Sequence, residues 1–147
     1  MHHSLVRLAV VIAFPVALAA QAGAPVVPRV QIQPDALTWN PGGPGIQTAA
    51  VLGNPTQAGI YVTRLRFAKG TRIAPHMHPD ERVAVVLSGS MYFGYGNTFD
   101  EAALAHMTPG STWTEPPNTA HFALAKDEDV IIQVVGIGPS GSKPAPK

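Results

Sequence analysis

Fifteen prolines and fourteen glycines, spread through all parts of the 147 residues, limit this chain more than any other feature. They divide it into apolar runs of about five to eight residues, each bounded by a turn signal. Proline inside a helix removes a backbone donor and clashes with the preceding turn, so long helices are excluded. Many short strands joined by tight turns are what such a pattern can build. Hydrophobic residues make up 46% of the chain, enough for one packed core at this length. A net charge of +1, with no cluster of Lys and Arg, argues against nucleic acid as a partner, because neutralising phosphates takes grouped cations.

The chain opens on what reads as an address. Arg7 precedes an uncharged apolar run over residues 8–20, which suits a signal peptide and falls short of the about 20 residues needed to cross a bilayer. Ala20-Gln21-Ala22 has the small-x-small form of a cleavage site, so residues 1–22 are expected to be removed. The mature protein is then periplasmic or secreted, with no stable membrane association. Cysteine is absent even though that compartment permits disulfides. Any metal site must therefore use nitrogen and oxygen donors, which suit Mn, Fe, Ni, Cu or Zn.

Residues 23–45 read as a polar, Pro-rich arm that ends in the turn cluster Asn40-Pro41-Gly42-Gly43-Pro44-Gly45. The predicted domain occupies residues 46–137. Its strands include 46–52 and 60–67. The second of these alternates, with Tyr61, Thr63, Leu65 and Phe67 on one face and Val62, Arg64 and Arg66 on the other. Strands over 83–87 and 90–95 flank Ser88-Gly89, a hairpin signal. Residues 120–125 and 130–135 are expected to pair across the acidic turn Asp127-Glu128-Asp129, and only residues 100–105 look helical. The tail from Gly138 has the composition of a disordered segment. With no internal repeat, the prediction is a single all-β domain of eight to ten short strands: a sandwich, jelly roll or small barrel.

Four histidines lie beyond residue 22: His76, His78, His106 and His121. His76 and His78 stand two apart, so on a strand both imidazoles project from one face. His121 must reach them from another strand, while His106 reads as a surface imidazole. Around these residues the chain resembles the cupin family. Gly70 is followed after five residues by His76-Met77-His78, and the stretch closes at Gly89. Gly110 is followed after five residues by Pro116, then Asn118 and His121. Both family motifs are thus present in order, over about 55 residues. The resemblance implies a single-domain cupin β-barrel (a double-stranded β-helix or jelly roll), one divalent metal ion on His76, His78 and His121, and a homodimer.

Three departures stand out. Asn118 replaces a motif glycine, which Asn tolerates through its access to the left-handed region. Ala125 replaces the final Asn. Arg82 stands where the motif carboxylate is expected, and Glu81 lies one position early. In register, Arg82 faces the metal and Glu81 points away. At about 5 Å and an effective dielectric of about 20, each unit of metal charge repels Arg by roughly 3 kcal/mol. A bulge after Pro79 could turn Glu81 inward as fourth ligand; a three-His site could stay open with Arg82 turned out; or an anionic substrate could lie between metal and Arg82.

Glu81 and Arg82 are accordingly the catalytic candidates, as ligand or base and as anion-orienting group. Arg64, Tyr92, Trp113, Phe122 and Gln133 form the expected substrate-binding set. For each there is a plainer alternative: Arg64 and Arg66 as a solvated outer face, Gln133 as a partner for a backbone group, and Met77, Tyr92, Tyr95, Trp113 and Phe122 as core. Glu115 reads as ligand or base, or as a rim carboxylate. Cupins host many reactions, so the fold alone does not choose one. An enzyme on a small organic, anionic molecule (dioxygenase, decarboxylase or lyase) and a non-catalytic periplasmic metal- or ligand-binding module both fit these residues.

Overall fold

The computed structural model describes residues 27–147; the predicted leader lies outside them. Two antiparallel sheets face each other. The strands are β1 (Asn40–Gly43), β2 (Ile46–Leu52), β3 (Gly59–Phe67), β4 (Arg72–Met77), β5 (Arg82–Ser88), β6 (Met91–Tyr95), β7 (Ala105–Met107), β8 (Thr112–Glu115), β9 (His121–Leu124), β10 (Val130–Gly138) and β11 (Lys143–Pro144). One sheet has the order β1-β2-β3-β10-β5-β8 and the other β11-β4-β9-β6-β7. The only helical turns described are 3-10 turns at Pro34–Ala36 and Glu101–Ala103. The domain is all-β, as the Pro and Gly spacing requires.

The period-two pattern places the core. Tyr61 and Phe67 of β3, Ala84 and Val86 of β5, Trp113 of β8 and Val130, Ile132 and Val134 of β10 point inward from the larger sheet. Met91 and Phe93 of β6 and Ala123 of β9 meet them from the smaller one. The opposite face of β3 carries Arg64 and Arg66. Arg64 Nε donates to Gln133 Oε1 at 3.0 Å, across the β3–β10 pair, and Arg66 lies over the Trp39 ring at 4.2 Å.

Three expectations about the chain's course are corrected. β5 and β6 do not pair with each other, and neither do β9 and β10, because each connection crosses from one sheet to the other. The turn residues are right for a reversal but say nothing about which strand each segment joins. The two turns pack together instead: Gly89 has φ +70°, and a Cβ there would run into the Asp129 carbonyl. Asn40–Gly43 is an edge strand paired to β2 rather than part of a turn, and an edge tolerates the missing proline donor. Residues 27–39 otherwise lack regular structure beyond the one turn.

The third correction concerns the C terminus. β10 continues to Gly138, and Lys143 and Pro144 then pair with Met77 and His76 of β4. The low-complexity tail is an ordered strap, held mainly by backbone hydrogen bonds rather than by packed apolar side chains.

Candidate metal centre

His76 and His121 sit directly opposite each other across the β4–β9 pair. The register shifts between Ile73 and His76, where Pro75 cannot donate to the ladder; such an irregularity re-aims the side chains beyond it. His78 follows just past the end of β4 and shares the face of His76. Ring centroids lie 4.4 Å apart for His76 and His121, 4.8 Å for His76 and His78, and 5.2 Å for His78 and His121. One ligand atom from each lies within 4.8 Å of the others.

Each Nδ1 is already engaged. The Nδ1 of His76 lies 2.9 Å from the Ala74 carbonyl and that of His121 lies 3.0 Å from the Thr119 carbonyl, while His78 Nδ1 contacts the Gly141 carbonyl. A carbonyl only accepts, so each Nδ1 carries a proton, and in the neutral ring Nε2 keeps a bare lone pair. His78 Nε2 is buried without a partner in the protein. Three bare nitrogens on one spot, one of them orphaned, are what a metal ion needs, with backbone carbonyls fixing the tautomers. Burial pushes His76 below its ordinary value, and burial with the Arg82 charge pushes His78 down to about 4. Both are neutral near pH 7, so protons do not compete for the site there. Asn118 has φ 54°, and its N–H donates to the His78 carbonyl at 2.7 Å, tying the two motifs together.

The carboxylate beside the histidines is Glu115. It is 5% exposed, and its Oε2 lies 3.5 Å from His121 Nε2 and 3.9 Å from His78 Nε2. Arg82 pairs with it from the facing position on β5, and Trp113 Nε1 donates to its Oε1 at 3.0 Å. Burial alone would raise the Glu115 carboxyl; the Arg82 guanidinium and the Trp113 donor outweigh burial and hold it below the usual range. Arg82 does face inward, as its register predicts. Its charge is met by Glu115, an outcome absent from the three arrangements expected.

The bulge proposal for Glu81 is corrected. Glu81 is exposed just before β5 and is not part of the three-His group. The β4 irregularity lies before His76 rather than after Pro79, so the alternation from Arg82 onward leaves Glu81 outside. The signal for Glu115 was present: in a strand, residues 113 and 115 share a face, so an inward Trp113 brings Glu115 inward with it.

Beside the metal centre lies a cavity of about 260 Å³ whose walls include Leu65, Phe67, Ile73, Phe93, Trp113 and Ile132. Phe93 stacks on Trp113 at 4.7 Å between ring centroids. Of the expected substrate-binding set, only Trp113 lines it. Arg64 and Gln133 bond each other on the outer face of the larger sheet. Tyr92 points out of the smaller sheet, where its hydroxyl donates to Asp127 at 2.8 Å and its ring stacks on His106. Phe122 is buried but lies on the other side of β9 from His121, against Phe99. A second space of about 270 Å³ adjoins the first, sharing Leu65, His78, Arg82, Val134 and Ser142 with it, and adds Thr56, Tyr61, Thr63 and Ser140. At that end the Tyr61 hydroxyl donates to buried Asp80 at 2.6 Å, and Arg82 Nε is buried without a partner.

Two facing antiparallel sheets with three histidines converging between them define a cupin. The match to the ChrR Cupin-like domain model over residues 27–140 places the chain in that family: it belongs to the ChrR cupin-like domains. No protein of curated function matches it in sequence. Among solved structures it is similar to KdgF from Halomonas sp., at 23% identity over 71% of this chain and 91% of that one, with a TM-score of 0.60. It is similar to the DMSP lyase DddQ from Ruegeria pomeroyi DSS-3, at 14% identity over 75% and 61% of the chains, with a TM-score of 0.61. A variant of salicylate 1,2-dioxygenase from Pseudoaminobacter salicylatoxidans, in complex with gentisate, matches at 13% identity over 69% of this chain and 30% of that one, with a TM-score of 0.58. At these identities the likeness establishes the fold.

Proposed function

We propose that this protein is a metal-dependent cupin enzyme acting on a small organic molecule with an apolar body and an anionic head. One observation carries the reading: three Nε2 lone pairs converge beside a buried carboxylate at the wall of a small apolar cavity. His76, His78 and His121 would hold one Mn, Fe, Ni, Cu or Zn ion, with Glu115 as the nearby oxygen donor. Such an ion, when bound, polarises an oxygen donor of the substrate or supports dioxygen chemistry.

The chain's own residues do the rest. Arg82, with an unpartnered buried Nε, orients an anionic head through charge-assisted hydrogen bonds. Leu65, Phe93 and Trp113 enclose the apolar body and exclude water. Trp113 and Arg82 hold Glu115 ionised and fix its direction. Relatives of this fold named as a lyase and a dioxygenase support reaction classes of that kind.

A non-catalytic metal- or ligand-binding role is favoured by a different observation. Both Glu115 oxygens are already engaged, by Arg82 and Trp113, which leaves no free base at the centre. A screen of small carboxylates and phenols for dioxygen uptake, decarboxylation or elimination separates the two readings. Turnover that disappears in His121→Ala supports the enzyme; saturable binding with no turnover supports the binding module. Export to the periplasm or beyond, and assembly into a homodimer, belong to the same proposal and are checked by cell fractionation and sedimentation.

A further inference from the structure

Residues 139–145 run beside the metal centre, and none of them belongs to the three-His group. The Ser140 N–H donates to the Pro55 carbonyl at 2.6 Å, and the Ala145 N–H donates to the Pro75 carbonyl at 3.0 Å. Between these anchors the Gly141 carbonyl accepts from His78 Nδ1, and Ser142 lines both spaces beside the histidines. His76 and His121 take their Nδ1 acceptors two residues away in the chain, from Ala74 and Thr119. His78 takes its acceptor from 63 residues away. Its orientation therefore depends on where the C-terminal strap lies.

We propose that this strap is the positioning element of the metal centre: the Gly141 carbonyl selects the Nδ1-protonated form of His78, and the strap's two backbone anchors keep it there. Its own composition argues that it is held by these anchors and the short β4–β11 pairing rather than by packing. Among its residues 139–145 no apolar side chain is buried, and β11 is two exposed residues long. A segment with so little burial opens at low free-energy cost. The strap then governs how firmly the third ligand is presented and how readily the neighbouring spaces are reached. This rests on the reading of His78 as a ligand.

Ala145→Pro removes the N–H to Pro75 and touches neither cavity nor ligand; Ser140→Pro removes the N–H to Pro55. Nitrogen NMR of the metal-free protein at neutral pH is expected to show His78 in the Nδ1-protonated form, and a mixture of tautomers in either variant. Affinity for Co²⁺, measured against a competing chelator, is expected to fall by roughly 10-fold, in the range seen when outer-shell partners of metal ligands are lost. Gly141→Ala, which has open space for a Cβ and keeps the carbonyl, is expected to behave as the parent. Unchanged His78 tautomer in both folded proline variants would overturn the proposal. No Co²⁺ uptake by the parent, together with the tautomer change in the variants, would overturn the metal reading while leaving the strap's hold on His78 in place.

Discussion

At the scale of single residues, the site turns on Glu115 and Arg82. Glu115 is buried and Arg82 half-buried, and each needs the other, so removing one charge leaves the second uncompensated. Glu115→Gln is expected to lower the stability of the metal-free protein by on the order of 3 kcal/mol, and Arg82→Met in the same chain to restore part of it. The same Glu115→Gln change is expected to weaken metal binding by roughly 10-fold, whereas Glu81→Gln leaves it within about twofold, measured by competition with a chromophoric chelator. Equal effects of the two substitutions would refute the assignment of the carboxylate.

The histidines carry a second residue-scale expectation. His78 titrates at about 4 in the folded chain and near 6.5 when unfolded. Between those values the unfolded state binds the extra proton, so acidification favours unfolding. The metal-free protein is expected to lose stability steadily from pH 6.5 down to about 4, and His78→Gln to flatten that slope. Denaturant midpoints across this range give the answer; a slope of opposite sign would count against neutral buried imidazoles.

The ligand set itself was legible in the sequence, because spacing alone places His76 and His78 on one strand face and motif order brings His121. Glu115 was weighed only as one option among several. Its partner, Arg82, lies across a strand pair, and cross-strand register cannot be read from either segment by itself. Arg64, Gln133 and Tyr92 failed for the same reason: alternation says that a side chain lies on one face, not which face is inside.

At the scale of elements, strand positions could be read but strand partners could not. β2 and β3 fall almost where the apolar runs predict. Ser88-Gly89 and Asp127-Glu128-Asp129 were expected to close hairpins, yet both carry the chain from one sheet to the other. The physical sign of that crossing is the contact between them. Gly89→Ala puts a Cβ against the Asp129 carbonyl at a left-handed φ, and is expected to destabilise the protein by about 2–3 kcal/mol. Thermal unfolding checks this; a change under about 0.5 kcal/mol would mean the two turns are not packed together. The C-terminal strap was the largest misreading at this scale, since its composition is that of a disordered tail and its order comes from backbone pairing.

At the scale of the whole molecule, the two sheets form one core, and the metal centre sits between them with ligands drawn from the smaller sheet and its carboxylate from the larger. An ion bound there joins elements far apart in sequence and binds only the folded state. At a hundredfold excess over its dissociation constant it stabilises by about 2.7 kcal/mol. For a domain of this size that corresponds to a rise of roughly 10 °C in Tm. The rise is expected to vanish in His76→Ala, His78→Ala and His121→Ala alike.

The most direct test is the metal content of the protein purified without added metal, read by inductively coupled plasma mass spectrometry. About one divalent transition-metal ion per chain is expected from three convergent nitrogen ligands, falling to background in His121→Ala. Less than about a tenth of an equivalent, with no uptake on later addition of Mn, Fe, Ni, Cu or Zn, would contradict the metal centre.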